Sequence, residues 1–295
     1  MKAFWFTTLA VLAPLAFADR PVDERKPAAP DGTVEISNVI GSVTVIGWDN
    51  AEIHIEGTIG DDVEKLEFDV SGSETDIEVV LPEGRGRKRD IDADAKLTIH
   101  VPKGSSVNVE TVTAPIRIEN VVGPLIEAES VSSAVTIEGA MGEVRAESVS
   151  AAISVSGSPT AVDTESVSGQ TTIRGATRKV KASGTSGGVD IEAGTLDECE
   201  IEFVSGRINF TGGIADGGNL SIDNFSGNVT VDLTNDVFGS YEISAFSGGI
   251  KCDFGPEPKK ASRFTPGMEL NFQHGSGNAS VGIETFSGSV TIRRK

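Results

Sequence analysis

A repeat of 18 to 21 residues fills most of the chain and restricts the possible folds more than any other feature. Each unit has an alternating segment such as Ile126 to Val131, a short turn rich in serine and glycine, and a second alternating segment such as Val135 to Ile137. We call the last residue of the first segment the corner residue. Corner residues recur at spacings of 19, 18, 18, 18, 19, 21, 21 and 40; they are Val112, Val131, Val149, Val167, Thr185, Val204, Phe225, Phe246 and Phe286.

The alternation of apolar and polar residues predicts short β-strands. One unit cannot bury its apolar face alone, but units stacked about 4.8 Å apart form a continuous core. The sequence therefore predicts an all-β fold, a parallel β-solenoid (β-helix) with coils of about 18–21 residues, over residues 106–295. An antiparallel sandwich with hairpins at similar spacing is the alternative. Equivalent residues at equivalent positions favour the solenoid.

The corner position changes from valine or threonine to phenylalanine beyond residue 204, and the coil lengthens from 18 to 21 residues over the same part of the chain. Nine of the ten phenylalanines after residue 18 lie beyond residue 200. Since a wider coil has a larger cross-section, we expect the aromatic rings to fill it.

The N-terminal end has the pattern of an export signal. Lys2 precedes an apolar run that ends at Leu15, and Ala16 to Ala18 form a small-x-small cleavage motif. We predict a signal peptide at 1–18, although a buried first strand or helix would also fit. A proline-rich linker at 19–30 and an N-terminal β region that caps the stack at 31–105 should follow. No later stretch reaches transmembrane length. The mature chain should thus lack a transmembrane segment and reside in the periplasm, at the cell surface or outside the cell.

Composition and motifs argue against several functions. The net charge is −19, which disfavours nucleic acid as a partner. Cys199 and Cys252 occupy predicted core positions, so we expect no disulfide. The three histidines are far apart in sequence, and no nucleophile elbow, zinc-protease motif or phosphate loop occurs. The sequence thus predicts a protein that is not an enzyme. A polysaccharide-active enzyme remains an alternative, although the short turns predict no cleft wall.

An acidic residue recurs two positions before the corner residue. Alternation turns these side chains outward, and stacking should place them in one column with carboxylates about 5 Å apart, which repel by roughly 0.8 kcal/mol even in water. No cofactor is predicted, but such a column could bind a divalent cation such as Ca²⁺, or it could be a solvated face that maintains solubility, which is the interpretation we favour. The column contains Glu110, Glu129, Glu147, Glu165 and Glu202.

One basic cluster stands out in this acidic chain. Arg85, Arg87, Lys88 and Arg89 lie close to three aspartates between residues 90 and 94. The cluster could dock on an acidic polysaccharide or an anionic lipid headgroup, or it could be a self-neutralising surface loop.

Two segments give a family resemblance. The run from Val34 to Asn50, and the step from Val101 to Gly104 into serial Ser-Gly units, resemble the bacterial "putative adhesin" family of exported β-strand-repeat domains of unknown function. The resemblance implies a non-enzymatic binding or structural protein of the cell envelope, and it supplies no catalytic residues. The partner would be an envelope or surface protein or a polysaccharide. A divalent-cation-dependent envelope stabiliser or sensor is the alternative.

Overall fold

A computed structural model describes residues 19–82, 93–262 and 266–295. Over these ranges the protein is all-β and contains no helix, and therefore none that is long and apolar enough to cross a membrane. The predicted signal peptide lies outside the described residues.

The middle of the molecule consists of two rows of parallel strands joined by short turns. In the first row each strand pairs in register with the strand 18 or 19 residues further on, so that Ala128 lies beside Val109 and Ala146. In the second row Ile137 lies beside Ile118 and Val155. These parallel pairs give a solenoid-like stack rather than an antiparallel sandwich. The strands are β8 (Ser106–Thr111), β9 (Ile116–Glu119), β10 (Leu125–Ser130), β11 (Val135–Ala140), β12 (Glu143–Ser148), β13 (Ile153–Gly157) and β14 (Ala161–Arg174).

At the corners of Val167, Thr185 and Val204 the strand continues without a break, so that β14 and β15 (Lys179–Ser226) extend through these corners. A glycine lies two residues after the corner residue, both in these coils and where β15 ends, and its backbone lies close to the adjacent coil. Gly227, for example, has φ of +132°, and a Cβ atom there would lie 1.9 Å from the carbonyl oxygen of Gly206. The same close approach links five glycines in stacking order: Gly187, Gly206, Gly227, Gly288 and Gly248.

The core lies between the two rows and contains mainly valine and isoleucine. Phe203 and Phe210 are buried there, but the corner residues Phe225, Phe246 and Phe286 are 58%, 44% and 47% exposed. The expectation that the corner rings fill the wider coil is therefore wrong. The residue before each of these corners, Asn224 in one coil, points into the core, and alternation then turns the corner side chain outward.

The two cysteines are free thiols. Cys199 is buried, and burial raises the pKa of its thiol, whereas Cys252 is only half-buried at the edge of the core. Burial keeps Cys199 protonated, so it acts as a small apolar side chain.

At the N-terminal end the stacking order differs from the chain order. Strands β2 and β3 insert between the first regular coil and strands β6 and β7, with parallel pairing on both sides. Antiparallel strands close this end: β5 covers β6, while β4 and then β1 cover β7. Strand β1 thus occupies part of the segment that was expected to be a linker. The strands are β1 (Arg20–Pro27), β2 (Thr33–Asn38), β3 (Gly41–Trp48), β4 (Glu52–Ile59), β5 (Lys65–Ser71), β6 (Glu74–Val80) and β7 (Ala95–Pro102).

The C-terminal end is built in the same way. The last coil in the chain consists of β21 and β22. Strand β21 lies between the end of β15 and β17, and β22 lies between β16 and β18. Antiparallel β20 covers β17, and the two-residue β19 pairs with β20. Each end therefore has a coil inserted out of sequence and an antiparallel cover. The strands are β16 (Val229–Leu233), β17 (Gly239–Ser247), β18 (Ile250–Cys252), β19 (Lys259–Lys260), β20 (Met268–His274), β21 (Ala279–Ser287) and β22 (Val290–Arg294).

Candidate functional site: a groove along the corner

The candidate site originates from a three-residue pattern that repeats at the corner. In the coil of Glu129, Ser130 and Val131, the first and third side chains are exposed, while the serine is buried. The Ser130 hydroxyl accepts a hydrogen bond from the backbone N–H of Ser133 at 3.2 Å, and Ser148 accepts one from Ala151 at 3.1 Å in the next coil. These bonds stabilise the turn after the corner residue.

Stacking of this pattern creates a groove of about 1110 Å³ along the corner. One wall, the acidic row, contains in stacking order Glu78, Ser37, Glu110, Glu129, Glu147, Glu165, Ser183, Glu202, Asp223, Glu284 and Ser244. The other wall, the corner row, contains Val39, Val112, Val131, Val149, Val167, Thr185, Val204, Phe225, Phe286 and Phe246. Ten steps of about 4.8 Å give the acidic row a length of about 48 Å.

Four of the glutamates named in the sequence analysis, from Glu110 to Glu165, lie on successive strands in register. Ser183 takes the next position, so it separates Glu165 from Glu202. The pKa of the Glu147 carboxyl is raised, first by partial burial and then by the carboxylates of Glu129 and Glu165. The carboxylates of Glu129, Glu147 and Glu165 therefore repel one another in this part of the groove.

Cation binding by these residues stays a prediction. Over the described ranges, no group of three or more histidine, cysteine, aspartate or glutamate side chains is close enough together to hold a metal ion. The basic cluster of Arg85, Arg87, Lys88 and Arg89 lies outside the described residues, so its docking role also stays a prediction.

The corner row forms an exposed apolar surface. Eight of its side chains are between 42% and 58% exposed: Val112, Val131, Val149, Val167, Val204, Phe225, Phe246 and Phe286. At the C-terminal end the phenyl rings stack on one another. Phe286 lies 4.9 Å from Phe225 and 4.7 Å from Phe246 between ring centroids, with interplanar angles of 2° and 8°.

Sequence reasoning missed this groove because it placed the corner phenylalanines in the core. The available signal was the alternation itself, because a corner residue two positions after an outward-facing glutamate must also face outward. The expectation that short turns leave no cleft wall is also wrong, since the wall consists of strand side chains rather than loops.

The groove lining contains carboxylate, hydroxyl, amide and apolar side chains, and no histidine, lysine, arginine or cysteine occurs among its described residues. Two histidines lie elsewhere, at the N-terminal end. The ring of His54 stacks on that of His100 at 5.6 Å, and its Nε2 lies 2.9 Å from a carboxylate oxygen of Asp23. Neither lines the groove. The described lining residues therefore include no histidine or lysine that could serve as the base for a hydroxyl nucleophile.

A family described as Toastrack DUF4097 matches residues 35–293. The chain belongs to this family. No curated protein matches the chain.

Three solved structures are similar to this Toastrack DUF4097 chain. A "putative cell adhesion protein" from Clostridium sporogenes shares 12% identity at a TM-score of 0.31, covering 94% of this chain and 100% of its own. A "putative adhesin" from Bacteroides fragilis shares 10% identity at a TM-score of 0.46, covering 95% and 99%. A "putative adhesin" from Parabacteroides distasonis shares 11% identity at a TM-score of 0.30, covering 94% and 98%.

Proposed function

We propose that this protein is an exported, non-enzymatic binding protein of the bacterial cell envelope, and that the corner groove holds its ligand. In this proposal the stack is a parallel β-helix that serves as a rigid support. The observation that carries the proposal is a row of exposed apolar side chains, interrupted at Thr185, opposite a row in which eight of eleven positions are aspartate or glutamate. Contiguous exposed apolar surface is uncommon on soluble proteins and is typical of binding sites.

The energetics of the corner row support a ligand that covers it. Full burial of a valine or phenylalanine side chain contributes about 1.5–3 kcal/mol, so a side chain that is already half-buried contributes roughly 1 kcal/mol when it is covered. Covering all eight exposed side chains would contribute roughly 8 kcal/mol, which offsets a large part of the cost of association. A ligand that spans many coils gains most, so the groove favours an extended molecule.

Site-specific photo-crosslinking in the native cell tests this proposal. A benzoylphenylalanine placed at Val149, in the middle of the corner row, should form an adduct outside the cytoplasm. The control is the same residue at Glu242, which is exposed but does not line the groove. Equal labelling at both positions, or none at Val149, contradicts the groove as the binding surface. Recovery of the mature chain from the cytoplasm contradicts export.

A further inference from the structure

We propose that the groove's ligand is an extended cationic polypeptide, with basic side chains against the acidic row and apolar side chains against the corner row. This inference rests on the proposed function, because it names the chemistry of the ligand for the same groove. Three observations carry it: the charge of the groove, the stacking of its aromatic rings and its length.

Charge selects a cation. Eight of the eleven positions in the acidic row are aspartate or glutamate, and no basic side chain occurs among the described lining residues. Two opposite charges in contact attract each other more strongly near a protein surface than in bulk water, because the effective dielectric constant is lower there. Anionic polysaccharides and lipid headgroups are repelled by the same row. A second copy of the chain is a poor ligand, because each copy has a net charge of −19.

The stacked rings select apolar side chains rather than sugars. Sugar rings bind to the faces of aromatic rings, but Phe225 and Phe246 cover the two faces of Phe286 at 4.9 and 4.7 Å. Phe286 can therefore offer a ligand only the edge of its ring. Ring edges and valine methyl groups pack well against aliphatic and aromatic side chains. A neutral glycan has no stacking platform on the Phe286 ring.

The dimensions fit an extended chain. An extended polypeptide advances about 3.3 Å per residue, so about 14 residues span the groove of about 48 Å. Alternate side chains of such a strand point to opposite sides. Alternating basic and apolar residues would therefore place the two kinds of side chain on the two walls of the groove, with the larger apolar residues nearest the phenylalanine end.

The test measures fluorescence anisotropy of labelled peptides of about 14 residues with the mature chain. One peptide alternates lysine and valine, a second has glutamate in place of each lysine, and a third has serine in place of each valine. We expect the first peptide to bind and the other two to bind at least about tenfold more weakly. Raising the salt concentration from about 50 to 300 mM should weaken binding of the first peptide, because screening reduces the charge attraction.

Two groove variants and a matched control locate the site. Glu129, Glu147 and Glu165 are changed together to glutamine, and Phe225, Phe246 and Phe286 together to serine. Each triple variant should weaken binding of the lysine–valine peptide at least about tenfold. The control changes Glu35, Glu74 and Glu242 to glutamine, which removes the same charge from exposed positions outside the groove, and binding should be unchanged. A Val149→Ser and Val167→Ser double variant replaces the phenylalanine variant if that one fails to fold.

The outcomes separate the two proposals. If the control triple variant weakened binding as much as the groove variants do, the peptide would be attracted to the acidic protein in general, and the inference would be overturned. Binding of the serine-containing peptide as tight as that of the lysine–valine peptide would overturn it as well. A photo-crosslinked polysaccharide at Val149, with no binding of the lysine–valine peptide, overturns the polypeptide ligand and leaves the groove as a binding surface. Absence of any adduct specific to Val149 overturns the groove itself.

Discussion

At the residue scale, the direction of each side chain at the corner determines which chemical groups line the groove. Glu129 and Val131 are two residues apart, so both face outward, while Ser130 between them is buried and bonds the backbone of the turn. The same arrangement at successive coils converts a local alternation into two parallel walls. The chemistry of the groove thus depends on residues that are exposed yet apolar, which is a pattern that packing alone does not require.

Replacement of Glu147 by glutamine should raise the free energy of unfolding at neutral pH. The substitution removes a carboxylate whose charge is disfavoured by partial burial and by its two neighbours. We expect a gain below about 1 kcal/mol, which is the size of the repulsion between two charges about 5 Å apart in water. Thermal melting at pH 7 measures this gain, and Glu242→Gln, outside the groove, should give a smaller change.

The pH dependence of the Glu147 effect follows from the direction of its pKa shift. Because the folded-state pKa is raised, the folded state binds the proton more tightly than the unfolded state. This carboxyl therefore destabilises the fold above its folded-state pKa, and the penalty disappears as the pH falls below the ordinary glutamate range. The advantage of glutamine should vanish near pH 4. An advantage that grows on acidification would contradict the raised pKa.

At the element scale, the glycines two residues after the corner residues allow adjacent coils to stack closely where the backbone bends. Gly248 has φ of +155°, and a Cβ atom there would lie 1.9 Å from the carbonyl oxygen of Gly288. A Cβ atom on the neighbouring Gly249 would have no other atom within 4 Å. The two adjacent glycines therefore carry very different constraints.

Gly248→Ala should destabilise the protein, whereas Gly249→Ala should have little effect. Alanine at Gly248 introduces both an unfavourable φ and a clash with the backbone of the adjacent coil, for which we expect a loss of about 2 kcal/mol or more. Chemical denaturation of the two single variants measures the difference. Equal stabilities would mean that the coils can separate locally at no cost, contrary to the close stacking described above.

At the scale of the whole molecule, the ends of the stack are protected from pairing with other chains. Strand β1 covers β4 and carries two prolines, Pro21 and Pro27, which limit hydrogen bonding at its outer edge. Val22 of β1 is buried, and the Asp23 carboxylate bonds His54 at 2.9 Å. An open edge of β4 would otherwise be available for strand addition.

Removal of residues 19–27 should destabilise the protein and cause it to associate. We expect a loss of about 2 kcal/mol or more from the burial of Val22 and the bond to His54, together with concentration-dependent oligomers that form through β4. Thermal melting and size-exclusion chromatography at several concentrations measure both effects. The control chain begins at Arg20 and keeps β1 intact. A shortened chain that stays monomeric would show that β1 is not the protective edge.

Much of the fold could be predicted from the sequence, because stacking requires equivalent residues at a fixed spacing and the chain displays that spacing directly. The all-β architecture and the parallel pairing at Ile137 and Val155 follow from this requirement. The order of the coils could not be predicted in this way. A repeat unit such as that of β21 fits equally well against several neighbours, so its insertion beside β15 depends on the length of the intervening chain and on the packing of the ends.

Which residues share a row can be read from the sequence, because the period of the repeat and the alternation along each strand fix the rows. The spacing alone predicts one column for Glu129, Glu147 and Glu165, and the pairing of their strands confirms it. The groove itself follows only from the packed fold, in which the exposed corner side chains, Phe286 among them, lie opposite that column. Alternation defines the two faces of a strand, but the bend of the backbone at the corner determines which side chains of the next segment lie opposite each face.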